Sequence, residues 1–194
     1  MTRRIGLLGG TFDPPHIGHL VVADWALDAL GLDEVRLLVA GDPWMKSGES
    51  DAATRVALCE AAVADHPRLV VDDRETRRDG PTYTVDTLTE LRTAEPDATW
   101  VFLLGTDAAA SLPSWHRIDD AIPLADWVVV VRPGTDLPDH RLAAVLTRLD
   151  VPRLEVSSTA LRARVAAGQS IRFLVPDPVI AEVARRGLYR PSDD

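Results

Sequence analysis

The sequence predicts an α/β fold in which an open parallel sheet carries helices on both faces. Short apolar runs alternate along the chain with longer segments of helical periodicity, and this alternation is typical of parallel sheets. Glycines and prolines separate the two kinds of segment. The length of 194 residues suits one domain, so we expect a single domain over residues 1–190 and a flexible tail over residues 191–194.

The first half of the chain begins with a strand and a helix. The apolar run Ile5–Leu8 ends at glycines and predicts the first strand. A helix follows from Ile17, because apolar residues then recur at spacings of three and four until Gly31, a residue type common after helix ends. The same reasoning predicts a strand at Val35–Ala40, a helix capped by Asp51 and ended by Pro67, a strand at Leu69–Val71, and a helix capped by Thr84 that runs from Val85 to about Ala94.

The second half of the chain continues the alternation of strands and helices. The predicted elements are a strand at Trp100–Leu104, a short helix after Asp107, a strand at Trp127–Val131, a helix opened by Ser158 and Thr159, and a helix from the cap Asp177-Pro178 to Gly187. Ligands of such sheets bind beyond the carboxyl ends of the strands. We therefore expect the loop after the first strand to lie at the binding site.

Composition and charge exclude several classes of protein. The net charge of −9 argues against a nucleic-acid partner, which would require a basic surface. No apolar run approaches the roughly 18 residues of a membrane span, and no signal-peptide core is present, so we expect no membrane partner and a cytoplasmic location. Cys59 is the only cysteine, which excludes an intrachain disulfide. The sequence leaves a homo-oligomer open.

A phosphate-binding loop is indicated between the first strand and the first helix, where the sequence reads GGTFDPPHIGH. Gly9 and Gly10 lack a Cβ, so backbone N–H groups can approach a phosphate closely, and Thr11 adds a hydroxyl donor. The pattern is neither G-x-G-x-x-G nor G-x-x-x-x-G-K-[ST], the two common phosphate loops. This loop is therefore a different device for the same kind of ligand.

Two histidines stand at the start of the first helix. His16 and His19 are three residues apart, so both side chains can point at one phosphate group, and Gly18 leaves room between them. The N-terminus of a helix favours an anion. We expect at least one imidazole to be charged when phosphate is bound. The alternative is that the two histidines cap the helix or pack in the core.

A second set of phosphate donors opens a later helix. Ser158 and Thr159 supply hydroxyl groups there, and Arg162 follows on the same helix with a guanidinium. The alternative is an ordinary helix cap with a solvated arginine.

These segments, taken with others in their order along the chain, resemble a known family. The first two are GGTFDPPHIGH and VSSTALR, and the others are PWMK, GPTYTVDTL, GTDAAASLPSWHR, SIRFLVPDPV and GLY. Together they resemble the HxGH nucleotidyltransferase superfamily, and specifically its bacterial nicotinate mononucleotide adenylyltransferases. The resemblance implies a Rossmann-like nucleotidyltransferase fold. It also implies transfer of AMP from ATP to nicotinate mononucleotide, with Mg²⁺ entering with ATP.

The resemblance also assigns roles to individual residues. The catalytic residues are His16, His19 and Arg162. The ATP-binding residues are Gly9, Gly10, Thr11, Phe12, Gly18, Gly105, Asp107, Ser158 and Thr159. The acceptor-binding residues are Lys46, Tyr83, Thr84 and Trp115. Structural alternatives stay open for three of these residues: Lys46 as solvated surface, Asp107 as a helix cap and Trp115 as core packing.

The acceptor is the other open question. Tyr83 and Thr84 precede a helix, whose first N–H groups suit a carboxylate better than an amide and so favour nicotinate over nicotinamide mononucleotide. Phosphopantetheine adenylyltransferases are a rival within the superfamily, although their first motif usually carries threonine where His16 stands. A noncatalytic nucleotide-sensing protein on the same fold is the rival from another class.

Overall fold

The computed structural model describes residues 2–41, 50–131, 136–152 and 154–191. Within these ranges the strands are β1 (Arg4–Gly10), β2 (Glu34–Val39), β3 (Leu69–Asp72), β4 (Thr99–Gly105), β5 (Asp126–Val131) and β6 (Leu146–Asp150). The α-helices are α1 (Ile17–Ala29), α2 (Ala52–Val63), α3 (Thr84–Ala94), α4 (Thr106–Ser111), α5 (Ile118–Ala121), α6 (Ser158–Ala166) and α7 (Asp177–Arg186). No helix in the described ranges is both long enough and apolar enough to cross a membrane. Lys46 lies outside the described residues, as do residues 192–194 of the predicted tail.

The six described strands form one open parallel sheet in the order β3-β2-β1-β4-β5-β6. The chain builds outward from β1 in one direction and from β4 in the other. Since β1 and β4 are neighbours, a crevice opens between the loops that follow them. The predicted α/β fold with an open parallel sheet is confirmed.

Helices cover both faces of the sheet because apolar side chains alternate along its central strands. Leu7 of β1 packs in one cluster with Leu88 of α3 and with side chains of α4 and α5. Leu8 faces the opposite side and belongs to a second cluster with Leu27 of α1 and Cys59 of α2. A third cluster joins α6 and α7 to α2. These packed faces hold the ends of β1 and β4 in fixed positions.

Some element boundaries differ from the sequence prediction. The N-cap of α3 is Tyr83, which has extended backbone angles, so the prediction that Thr84 caps this helix is wrong. Pro176 occupies the N-cap of α7, and Asp177 is already helical, so the predicted Asp177 cap is also wrong. A proline has a fixed φ and no N–H, which makes it compatible with this boundary position.

The sequence analysis did not predict β6. Its residues read LTRLD, and only Leu146 and Leu149 are buried, so the strand lacks an apolar run. A single-turn 3₁₀ helix at Ala143–Val145 precedes it. The predicted regular alternation of strand and helix therefore does not hold between β5 and β6 in the described part of the chain. Pairing with β5 defines this edge strand.

Candidate phosphate and nucleotide site

A cavity of about 520 Å³ opens at the carboxyl ends of β1 and β4. Twelve of the residues predicted for the site line it: Gly9, Gly10, Thr11, Phe12, His16, Gly18, His19, Gly105, Asp107, Ser158, Thr159 and Arg162. They come from the loop after β1, the start of α1, the start of α4 and the start of α6. The structure therefore brings both sequence motifs around one space.

Two glycines of the first loop are required by close packing. A Cβ on Gly10 would lie 2.9 Å from the buried Phe12 ring, and Phe12 itself has a positive φ of 54°. A Cβ on Gly18 would lie 3.0 Å from both the His16 ring and Val156. The chain thus uses glycine where the loop folds onto itself and where α1 approaches the segment before α6.

The two histidines form a stacked pair. Their ring centroids are 3.7 Å apart, and the ring planes meet at 20°. The backbone N–H of His16 donates to Nδ1 of His19 at 3.2 Å. A neutral imidazole that accepts at Nδ1 carries its proton on Nε2. The hydrogen bond therefore fixes both the orientation and the tautomer of His19 and supplies a partner for one N–H at the start of α1.

The His16 side chain is buried, and its imidazole is neutral at pH 7. Burial lowers the pKa of His16 from 6.5 to about 4, because desolvation disfavours the charged imidazolium. Its Nδ1 atom has no hydrogen-bond partner among the described residues. A buried polar atom without a partner is unfavourable, and a donor or acceptor group of a ligand would satisfy it.

Direct hydrogen bonds join α6 to the first loop. The Ser158 hydroxyl donates to the carbonyl oxygen of Pro14 at 2.8 Å, and Nη1 of Arg162 donates to the carbonyl oxygen of Asp13 at 2.7 Å. Ser157 caps the helix, since its side chain accepts from the backbone N–H of Ala160 at 3.2 Å. Ser158 is thus free of the capping role and instead connects the two motifs.

The electrostatic character of the cavity favours an anion. The N-terminal turns of α1 and α6 both line it, and neither first turn contains an acidic residue. Helix N-termini carry partial positive charge. The guanidinium of Arg162 adds a full positive charge. One of its N–H groups donates to the Asp13 carbonyl oxygen, and further N–H groups can bind a ligand. The cavity can therefore hold several phosphate groups.

The predicted acceptor residues are not among the residues that line this cavity. Tyr83 stacks on His116 with ring centroids 4.1 Å apart. Trp115 is half-buried, packs edge-on against Phe102 and Trp127, and donates its indole N–H to Ser111 at 3.1 Å. Thr84 is the first residue of α3. These residues lie beside the core cluster that includes α3, while Lys46 is outside the described residues.

Sequence reasoning missed a buried arginine that supports the first loop. Arg55 on α2 is 2% exposed and donates to four backbone carbonyl oxygens, those of Thr11, Ala40, Gly41 and Ser50, at 2.6–3.3 Å. Nothing in a helical pattern marks one arginine as buried, because arginines are mostly exposed. Four hydrogen bonds satisfy most of its five donors.

Sequence reasoning also assigned no role to Asp13 and Tyr189. Asp13 is fully buried, and its carboxylate accepts hydrogen bonds from the Tyr189 hydroxyl and the Ser50 backbone N–H. Both residues stand inside quoted segments, GGTFDPPHIGH and GLY, which is the signal that could have found them.

Comparisons with known proteins agree with this geometry. The model of the cytidylyltransferase-like family matches residues 7–164. A probable nicotinate-nucleotide adenylyltransferase of Saccharopolyspora erythraea is 43% identical over 99% of this chain and 92% of that protein. One of an Arthrobacter species is 45% identical over 96% of this chain and 92% of that protein. A Plasmodium falciparum nicotinic acid mononucleotide adenylyltransferase complexed with NaAD has the same fold, with a TM-score of 0.80 at 18% identity over 96% of this chain and 97% of that one.

Proposed function

We infer the activity from the family, because this chain belongs to the nicotinate-nucleotide adenylyltransferases within the cytidylyltransferase-like family. The enzyme transfers AMP from ATP to nicotinate mononucleotide. A phosphate oxygen of the mononucleotide attacks the α-phosphorus of ATP, the bond from that phosphorus to the bridging oxygen breaks, and pyrophosphate leaves with the electron pair. The product is deamido-NAD. The observation that carries this conclusion is that both phosphate motifs line one cavity.

The reaction requires no nucleophile from the protein. Cys59, the only cysteine, is fully buried in the cluster between the sheet, α1 and α2, and burial raises the pKa of its thiol. A thiol in that environment neither ionises nor reaches a substrate. Catalysis then rests on holding the two phosphates in line and on neutralising the leaving group, and orientation alone can supply ~7–11 kcal/mol.

His16, His19 and Arg162 are the residues that we propose act on the triphosphate. His16 is neutral before ATP binds, and a phosphate beside it would raise its pKa and favour proton uptake. His19, oriented by the His16 backbone, carries its proton on Nε2 and can donate it in a hydrogen bond. Arg162 keeps N–H groups beyond the one bonded to Asp13. Together these donors stabilise the charge that develops on pyrophosphate.

The remaining ATP contacts follow from the loops around the cavity. Backbone and hydroxyl donors would come from Gly9, Gly10 and Thr11. The Phe12 ring packs against Gly10. Asp107, in the first turn of α4, would accept from ribose hydroxyls. The other predicted ATP contacts are Gly18, Gly105, Ser158 and Thr159, which also line the cavity.

The acceptor would bind on the side of the sheet that carries α3. Trp115 would stack on the pyridine ring, and the start of α3 at Tyr83 and Thr84 would receive the carboxylate. The amide of nicotinamide mononucleotide would place its own N–H groups against the backbone N–H groups of the helix start. This mismatch would discriminate strongly against nicotinamide mononucleotide. Lys46 would meet an acceptor or ATP phosphate. The packing of Trp115 on Phe102 and Trp127 gives its ring a fixed orientation, and this supports the stacking role.

The cavity offers few ligands for a metal ion of its own, so Mg²⁺ would arrive bound to ATP. Asp13 and Asp107 are the carboxylates among the lining residues, and Asp13 is already engaged by Tyr189 and Ser50. No group of three histidine, cysteine or acidic residues in the described ranges could hold a metal ion by itself. Bound to the triphosphate, Mg²⁺ would neutralise part of its charge. The protein residues would hold the phosphate oxygens that the ion leaves free.

Pyrophosphate release is the experiment that tests this function. The enzyme should release pyrophosphate when it is given ATP, Mg²⁺ and nicotinate mononucleotide. Its kcat/KM for nicotinate mononucleotide should be higher than that for nicotinamide mononucleotide, and no pyrophosphate should be released with phosphopantetheine. His19→Ala should lower turnover by orders of magnitude and should leave the melting temperature nearly unchanged. Tight ATP binding without turnover of any acceptor would instead identify a nucleotide sensor.

A further inference from the structure

The Asp13 side chain is fully buried and contacts distant parts of the chain. Oδ1 accepts from the Tyr189 hydroxyl at 2.5 Å, and Oδ2 accepts from the backbone N–H of Ser50 at 2.9 Å. Tyr189 is 176 residues away in sequence. A buried carboxylate is stable only when donors replace the water that it has lost, so both bonds hold Asp13 in one orientation.

The backbone at residues 13 and 14 accepts hydrogen bonds from two side chains of α6 that line the cavity. The carbonyl oxygen of Asp13 accepts from Nη1 of Arg162 at 2.7 Å. The next carbonyl oxygen, on Pro14, accepts from the Ser158 hydroxyl at 2.8 Å. Residue 13 thus connects Tyr189 through its side chain to Arg162 through its backbone. Without its side-chain hydrogen bonds, the backbone of residue 13 would be less firmly held, and with it the carbonyl group that orients the guanidinium.

Tyr189 is itself held in a defined place. It follows α7, whose C-cap Gly187 has a left-handed conformation, and Tyr189 also has a positive φ of 62°. Such a conformation is unfavourable for a residue with a side chain and persists only where the surroundings impose it. Helix α7 packs on α2 in the third cluster, and Arg186 of α7 donates to the Thr54 hydroxyl of α2 at 3.1 Å. The hydroxyl therefore reaches Asp13 from a rigid support.

We propose that Tyr189 is a positioning residue for AMP transfer, which acts through Asp13 on Arg162. The proposal rests on the proposed function of Arg162 as a triphosphate ligand. The segment after α7 then contributes to the site, although it is not among the residues that line the cavity. The hydroxyl of Tyr189 is required because a phenyl ring in its place leaves Oδ1 of Asp13 buried without this donor.

The test compares Tyr189→Phe with Arg190→Ala, a matched change at the next residue, which is exposed. Tyr189→Phe should lower kcat about tenfold and weaken ATP binding, while the KM for nicotinate mononucleotide stays within about twofold. Arg190→Ala should match the wild type in kcat, in ATP affinity and in the KM for nicotinate mononucleotide. A Tyr189→Phe variant that loses only melting temperature, with wild-type kcat at a temperature well below unfolding, would overturn the proposal.

A double-mutant cycle with Asp13→Ala separates this tether from a general weakening of the fold. Alanine removes both carboxylate oxygens, so the Tyr189 hydroxyl has no acceptor left on residue 13. The double variant should be no slower than Asp13→Ala alone, because both changes break one connection. If the decrease in kcat of the double variant equals the product of the two single decreases, the proposal is overturned. If the wild type turned over no acceptor, the proposed function would fail, and the same cycle measured on ATP affinity by calorimetry would still test the tether.

Discussion

Replacing His16 by glutamine tests the buried histidine of the first loop. His16 is 7% exposed, and burial lowers its pKa from 6.5 to about 4. In the unfolded chain the pKa returns to its ordinary value, so between pH 6.5 and pH 4 the unfolded state binds a proton that the folded state does not. The stability that neutral His16 contributes is therefore present above pH 6.5 and is lost as the pH falls towards 4. Glutamine has no proton to gain in this range.

The size of the effect follows from the two pKa values. Each unit of difference corresponds to about 1.36 kcal/mol, so the full loss between pH 6.5 and pH 4 is about 3 kcal/mol. About 2 kcal/mol of this is lost between pH 7 and pH 5, because at pH 5 the unfolded imidazole is almost fully protonated and the folded one is mostly neutral.

Urea denaturation of the wild type and His16→Gln at pH 8, 7 and 5 measures the effect. The difference between the two free energies of unfolding should be almost constant from pH 8 to pH 7 and should change by about 2 kcal/mol, to the disadvantage of the wild type, from pH 7 to pH 5. Contributions from titrating groups that do not contact residue 16 cancel in this difference. A difference that is the same at pH 7 and pH 5 would refute the burial argument for His16.

Two further predictions concern the support of the first loop. Gly18→Ala should lower kcat at least tenfold, because its Cβ would press on His16 and Val156 at 3.0 Å and displace the imidazole; wild-type kcat would contradict the close packing. Arg55→Lys should lower the free energy of unfolding in urea by about 1–3 kcal/mol, because an ammonium with three donors leaves at least one of the four carbonyl groups without this partner. Unchanged stability would show that water replaces those bonds.

The fold and the convergence of the two motifs on one cavity were predictable because their signals are local. An apolar run that ends in glycines, followed by a helix start with two histidines, places the first loop at the carboxyl end of a parallel strand. The same rule places Asp107 after β4 and so brings it to the same edge. Topology then explains why residues from separate motifs line one cavity.

The unpredicted features depend on contacts that no local pattern encodes. Arg55 looks like any helical arginine until the carbonyl groups of three separate segments surround it. β6 has too few buried side chains to mark it as a strand. The hydrogen bond from Tyr189 to Asp13 joins two residues that lie near opposite ends of the described chain. For the acceptor residues, sequence motifs indicated candidates such as Trp115, but not that Trp115 lies outside the lining of the cavity.

A double-mutant cycle between His19 and Arg162 tests most directly whether the two motifs act on one triphosphate. His19→Ala, Arg162→Ala and the double variant are compared by kcat/KM for ATP, with Arg164→Ala as the control because Arg164 lies on the same helix and is not among the residues that line the cavity. Groups that hold the same triphosphate are coupled, so the double variant should lose far less than the product of the two single losses. Single losses that multiply in the double variant would contradict the convergence of His19 and Arg162 on one ligand.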